Sequence, residues 1–297
     1  MRLGVAIDLH ATARTADEVS WRHVREQVLT AELLGLDLVV LPDHLSYRAG
    51  GQGDYALPDE AVGVRESLVE AAALAASTTR IVIGHSVINA PYRTPTMLAH
   101  VAATLADVSG GRYSLGIGVG NSFDYDQVGV AADARVTRFA ESVEIVSRLL
   151  HDGHADVDGA YWTAAAADLV LGPVESHRPP LVVAAGGPRT MDVAVRFADA
   201  WNGFCPTDPD GTVATDLLAQ LDRSCAAHGR NPASIARTFD LGVDPMDLQN
   251  ARGRSIEMLG RLAELGVDEA RCYAVSTSTH VARLEAIEAL AQMATEI

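Results

Sequence analysis

The sequence predicts an α/β fold, a closed (β/α)8 barrel with long βα loops, formed by residues 1–297 as one domain. Three observations carry this prediction. Short apolar runs alternate with helical stretches from end to end, about eight times. The early runs are apolar almost throughout, as parallel strands buried on both faces must be. No linker or break in composition divides the chain. The competing arrangement is an open doubly wound sheet, but its phosphate fingerprint is missing. The first strand leads into His10-Ala11-Thr12 rather than a glycine turn.

In order along the chain, LGVAIDL (3–9) is the first strand and Asp17 to Leu34 its helix, with Leu33, Leu34 and Leu36 closing it around Gly35. DLVVLPD (37–43) is the second strand, followed by a polar, glycine-rich gap and a helix from Arg65 to Ser77. RIVIGHSVI (80–88) is the third, and Thr94 to Val108 the helix after it. Thr94 and Pro95 supply a cap and a first-turn proline. RYSLGIGVG (112–120) is the fourth strand, Val136 to Leu150 its helix, and 151–178 an irregular polar stretch. PLVVAA (180–185) leads to a helix from Arg189 to Ala198, and a short strand at Ala200 to Phe204 to one from Thr212 to His228. ARTFDLGVD (236–244) and ARCYAVS (270–276) complete the strands, with helices Leu248 to Leu265 and His280 to Met293.

Charge and composition narrow the function. With 48% hydrophobic residues in 297, the chain can bury a large core. The formal net charge of −16 argues against nucleic acid and anionic membrane surfaces as partners, leaving a small-molecule substrate. A local anion site stays open, because backbone amides can hold a phosphate without net positive charge. Cys205, Cys225 and Cys272 are odd in number and form no C-x-x-C, which reads as buried thiols in a reducing cytoplasm. Early charges argue against a signal peptide, and no apolar run is long enough for a membrane span. A soluble cytoplasmic protein is expected.

In such barrels the chemistry sits at the C-terminal ends of the strands. Those ends carry Asp8 and His10, Asp43 and His44, Ser86 to Arg93, Asn121 to Asp126, and Gly186-Gly187-Pro188-Arg189. The Asp43 to Val64 loop has the length and polarity of a lid. Gly186-Gly187-Pro188-Arg189 reads either as an anion-binding helix start, with Arg189 adding charge, or as an ordinary strand-to-helix turn. Gly116-Ile117-Gly118-Val119-Gly120 is a weak match to a nucleotide loop, since it lies inside a strand and leads to no immediate helix, and reads better as a strand end where a flat ligand approaches the backbone. Asp43-His44 reads as a pair in which Asp43 fixes the loop and orients His44 for proton transfer. His10, His44 and His85 could instead converge on a metal, although further ligands are not evident and no metal is expected.

Three co-linear segments, AELLGLDLVVLPDHL (31–45), residues 66–120 and PPLVVAAGGPRTMDVAVRFADAWNGF (179–204), resemble the bacterial luciferase-like superfamily of flavin- and deazaflavin-dependent oxidoreductases. The resemblance implies a TIM barrel with the cofactor ring at its C-terminal mouth, coenzyme F420 rather than FMN, and a homodimer. It places Ser86-Val87 at a non-prolyl cis peptide behind the ring, and Gly186, Gly187, Pro188 and Arg189 at the cofactor phosphate. Asp43 and His44 match the pair beside the reactive ring, Asn121 counts among the cofactor contacts, and His44 or His10 would move the proton. Asn121 and His10 also stand where the sugar-phosphate dehydrogenases of that branch carry glutamates, and Arg48 near their stacking tryptophan. That argues against a sugar phosphate and for a small acceptor with a C=C or C=N bond. An FMN-dependent monooxygenase is the alternative, followed by a non-catalytic flavin-binding relative and a metal-dependent hydrolase.

Overall fold

Eight parallel strands close on themselves in a computed structural model that describes residues 1–48, 50, 59–171, 178–205, 211–243, 252–274 and 279–296. They are β1 (Arg2–Ala6), β2 (Leu38–Leu41), β3 (Val82–His85), β4 (Tyr113–Gly118), β5 (Leu181–Ala184), β6 (Ala200–Cys205), β7 (Ala236–Val243) and β8 (Glu269–Ala274). Each pairs with its sequence neighbours, and β8 pairs with β1, with Val5 opposite Cys272. The closed barrel predicted from strand–helix alternation is therefore present.

Helices surround this ring, namely α1 (Trp21–Leu33), α2 (Ser67–Ser77), α3 (Pro95–Val108), α5 (Arg135–Asp152), α6 (Pro188–Phe197), α7 (Thr212–Ala227), α8 (Arg252–Glu264) and α9 (His280–Ala294), while the short α4 (Ser122–Gln127) lies at its mouth. Most boundaries agree with the sequence reading to within a few residues. The first helix starts late, because a 3-10 turn at Ala16–Val19 precedes it. Residues 154–168 hold a hairpin, His154–Asp158 against Thr163–Asp168, where no regular structure was expected. Its alanines and a register shift between Ala164 and Ala167 blur the two-residue alternation that marks a strand. Among the described residues no helix is long and apolar enough to cross a membrane.

Alternation along the strands divides two cores. Val5, Val39, Ile83, Leu115, Val183, Trp201 and Phe239 face outward into one apolar cluster shared with the helices. Inside the ring, glycines and alanines such as Gly4, Ala6 and Gly84 sit beside Leu38 and Val40 on the β1–β3 side. A Cβ on Gly4 would lie 2.4 Å from the Leu38 side chain, so glycine is what lets Leu38 occupy the barrel axis. The β6–β8 side is polar: Asn202, Thr238, Asp240, Glu269 and Arg271 are all buried there. Arg271 Nε donates to Glu269 at 2.6 Å, and Arg2 reaches the same carboxylate at 2.7 Å.

His85 lies on the outward face of β3, 1% exposed, with its Nδ1 2.9 Å from the Tyr113 hydroxyl. Burial pulls its pKa from 6.5 down to about 4. Between those values the unfolded chain binds the extra proton and the folded one does not. Protonating His85 therefore costs the fold roughly 3 kcal/mol at about 1.36 kcal/mol per unit, a penalty absent above about pH 6.5 that grows as pH falls towards 4. Chemical denaturation at a series of pH values should show this slope, and His85→Gln should flatten it. An unchanged slope in the variant would rule His85 out as its source.

Candidate active site

The barrel mouth is organised around His44, at the end of β2. Its Nδ1 lies 3.0 Å from Asp124 Oδ1, and Asp124 is fully buried. Asp124 belongs to α4, a short helix started by Asn121: the Asn121 N–H donates to Asp124 Oδ2 at 2.8 Å. Tyr92 donates its hydroxyl to Asp124 Oδ1 at 2.6 Å. Burial alone would push the Asp124 carboxyl up, but the hydrogen bonds from His44 and Tyr92 outweigh it and hold the pKa below the ordinary value. An ionised Asp124 accepts, so His44 carries its fixed proton on Nδ1, and Nε2 is the nitrogen that exchanges one. The Asn89 amide nitrogen, 3.2 Å from the same Nδ1, cannot donate to it in that tautomer.

Asp43 does not orient His44, contrary to the sequence expectation. Its carboxylate is buried and turned towards α2 and the β3 loop, where four donors meet it. Ser67 Oγ donates at 2.8 Å, the Asn89 N–H at 2.9 Å, and the Arg93 guanidinium in a fork at 2.7 and 3.0 Å. Arg93 also pairs with Glu66, which caps α2 through the Val69 N–H. Asp43 thus ties the loop in place, and the carboxylate against His44 comes instead from a helix that the sequence reading treated as loop.

His10 faces the same mouth. Beyond β1 the chain leaves the barrel and forms a small antiparallel sheet, with His10–Ala11 against Val62–Val64 and Val62–Val64 against Ser46–Tyr47. This sheet joins the two described ends of the long loop, whose residues 49 and 51–58 lie outside the described set. It sets the His10 ring 6.4 Å from that of His44 and 5.6 Å from that of Tyr47. His10 Nδ1 lies 2.6 Å from Asp8 Oδ1, and Arg283 donates to Asp8 Oδ2 at 2.7 Å. Burial raises the Asp8 pKa, but His10 and Arg283 together hold it below the usual range. Tyr47, Val62 and Phe123 pack into a small apolar cluster over the site. His85, on the outer face of β3, does not join His10 and His44. Among the described residues no group of three or more His, Cys, Asp or Glu side chains is placed to hold a metal.

The Ser86–Val87 peptide is cis. The Gly116-Ile117-Gly118 pattern belongs to this segment rather than to a ligand, which corrects the sequence reading. A Cβ at Gly116 would fall 1.9 Å from the His85 carbonyl oxygen, and one at Gly118 2.4 Å from Val87 Cγ2. The glycines make room for the neighbouring strand. Ser86 is bonded on every polar atom: its N–H donates to the Leu41 carbonyl at 3.0 Å, its Oγ to Asp240 Oδ2 at 2.5 Å, and its carbonyl accepts from Tyr273 at 2.9 Å. Asp240 and Tyr273 lie in the last third of the chain, where no motif marks them.

Across the mouth, Pro188 opens α6 after Gly186-Gly187. Gly186 is exposed, and a Cβ there would meet nothing within 4 Å. Thr190 Oγ1 accepts from the Gly187 N–H at 3.2 Å and donates to the Gly187 carbonyl at 3.0 Å. That turn is thus braced internally, and the first-turn N–H groups beyond it have no acceptor in their own helix. Arg189 is exposed and donates to Thr137 on α5 at 3.1 Å.

Comparison with known proteins agrees with this architecture. The chain is 29% identical over 236 residues to an F420-dependent glucose-6-phosphate dehydrogenase of Beutenbergia cavernae, covering 77% of this chain and 66% of that protein. It is 30% identical over 219 residues to one of Microbacterium testaceum, covering 72% of this chain and 61% of that protein. It thus spans less than two thirds of either relative's length. Among solved structures, an F420-dependent secondary alcohol dehydrogenase superposes with a TM-score of 0.76 at 16% identity, covering 98% of this chain and 97% of that one. The tetrahydromethanopterin reductase of Methanopyrus kandleri gives 0.73 at 15% identity, covering 98% and 97%, and a monooxygenase of Streptomyces bottropensis 0.72 at 17%, covering 100% and 99%. At such identities these structures speak for the fold alone. The family model for luciferase-like monooxygenases matches residues 1–244, and the chain belongs to that family.

Proposed function

We propose that the protein is an F420-dependent oxidoreductase that transfers hydride between reduced coenzyme F420 and a small organic acceptor with an activated C=C or C=N bond. The observation that carries this reading is the His44–Asp124 pair at the barrel mouth, 3.0 Å apart. The names of the relatives, F420-dependent dehydrogenases, support the choice of cofactor. The residues present fit it: an open glycine turn before a helix start suits the phosphate, and the Ser86–Val87 segment, with every polar atom of Ser86 already bonded, suits a fixed surface behind a ring.

F420, when bound, supplies the hydride. Asp124 keeps one His44 proton on Nδ1, so Nε2 would give or take the single proton that accompanies the hydride. Asp43 holds the loop that carries His44, and Tyr47, Val62 and Phe123 keep water from that side of the site. His10, with its Nδ1 fixed by Asp8, is a second proton carrier facing the same space. The turn Gly186-Gly187-Pro188 would hold the phosphate mainly through backbone amides, with Arg189 near its edge. Asn121 caps α4 where the resemblance expects a glutamate in sugar-phosphate dehydrogenases, which supports a different substrate despite the relatives' names. A single domain, a cytoplasmic location and a homodimer belong to the same proposal. The buried cysteines Cys205, Cys225 and Cys272, none of them in a disulfide, are consistent with a reducing compartment.

Anaerobic turnover tests the reaction class. Enzyme mixed with reduced F420 under nitrogen should oxidise it on addition of an activated alkene or imine. Oxidation that occurs only on admitting oxygen, with an oxygen atom appearing in the product, would establish a monooxygenase instead.

A further inference from the structure

Asp240 is a buried acid to which the proposed reaction gives no part. It lies on β7, 5% exposed, opposite Phe204 on β6 and Arg271 on β8. One of its oxygens, Oδ2, accepts from Ser86 Oγ at 2.5 Å and from Asn202 Nδ2 at 2.8 Å. Asn202 is fixed in turn by Thr238, whose hydroxyl donates to its Oδ1 at 2.7 Å. The other oxygen, Oδ1, has no hydrogen-bond partner among the described residues. Burial pushes the carboxyl above its ordinary pKa. A single oxygen atom thus joins the end of β3 to β6 and β7 across the inside of the barrel.

We propose that Asp240 is a positioning residue, which holds the Ser86–Val87 segment from within the barrel so that it forms a firm shelf behind the cofactor ring. The proposal rests on the reading that the ring lies against Ser86–Val87. Without Asp240, the Ser86 hydroxyl and the Asn202 amide become buried donors with no acceptor, a state relieved only by moving Ser86 or admitting water. Volume alone cannot replace it, because leucine fills the space but accepts nothing. Asparagine replaces it in part, since its carbonyl oxygen takes the place of Oδ2, although its amide puts a donor where Oδ1 has no partner. This contrast separates a positioning role from simple packing.

The test compares wild type, Asp240→Leu, Asp240→Asn, Ser86→Ala and the Ser86→Ala/Asp240→Leu double variant. Amide hydrogen exchange over residues 86–89 is read on the ligand-free protein, and F420 affinity by its ring fluorescence. Asp240→Leu should speed exchange there about tenfold or more and weaken F420 by a similar factor, and Asp240→Asn should restore both to within about threefold. In the Ser86→Ala background Asp240→Leu should add less than about threefold, because the two residues act through one hydrogen bond. Should Asp240→Leu fail to fold, Ser86→Ala removes the same bond from the other side and must give the same pattern. Unchanged exchange and affinity in Asp240→Leu, or fully additive losses, would overturn the role of Asp240. Wild-type protein that binds neither F420 nor FMN would overturn the shelf itself and the proposed function with it, whatever the exchange rates.

Discussion

His44→Ala should lower turnover about 100-fold or more while changing F420 affinity by less than about threefold, since a positioned general acid is worth 10²–10⁴. Asp124 sets this outcome. Its carboxylate is buried, ionised and bonded to the His44 Nδ1 at 3.0 Å, which fixes the tautomer. Asp124→Asn should therefore also impair turnover, because an amide can donate to Nδ1 and reverse the tautomer. The affinity should survive in both, since the proposed phosphate site lies across the barrel at α6. Steady-state and single-turnover kinetics with separate cofactor titrations distinguish these outcomes. Unchanged turnover in His44→Ala would remove His44 from the mechanism and leave His10, bonded to Asp8, as the proton carrier.

Gly116→Ala should destabilise the fold by about 3 kcal/mol or more, at the upper end of the usual cost of overpacking. The added Cβ would lie 1.9 Å from the His85 carbonyl oxygen and 3.0 Å from its carbon, both backbone atoms of the adjacent strand. No rotamer change relieves such a clash, so β3 must move from β4. Gly186→Ala is the matched control, because a Cβ there meets nothing within 4 Å. Denaturant unfolding should show a large fall in midpoint for Gly116→Ala and little for Gly186→Ala. Equal stability of the two variants would contradict the packing described for β3 and β4.

The parts legible in the sequence are those where local pattern and burial coincide. Apolar runs such as Leu38–Leu41 and Leu181–Ala184 mark barrel strands because both faces are buried, and Pro95 and Pro188 mark helix starts. The strand-end rule correctly brings His10 and His44 to one mouth. It says nothing about which partner each side chain finds. Asp43 precedes His44 in sequence but faces the other way, and Asp124, 80 residues on, takes the place assigned to it. The signal for Asp124 was present as an Asn-x-x-Asp capping pattern at residues 121–124, which would have turned an apparent loop into a helix start. Asp240, Asn202 and Thr238 were not legible at all. They sit at alternate positions in ordinary strands, and only the closing of the barrel brings them beneath Ser86. The glycines at 116 and 118 were legible as special but misread, because a sequence does not show whether the close approach comes from a ligand or from the next strand.

The most direct test of the central claim is an equilibrium titration of the purified protein with F420 and with FMN, each oxidised and reduced, followed by ring fluorescence or by calorimetry where the reduced form is dark. F420 should bind saturably at about one per chain, at least about tenfold tighter than FMN. Preferential binding of FMN, or no binding of F420, would contradict it.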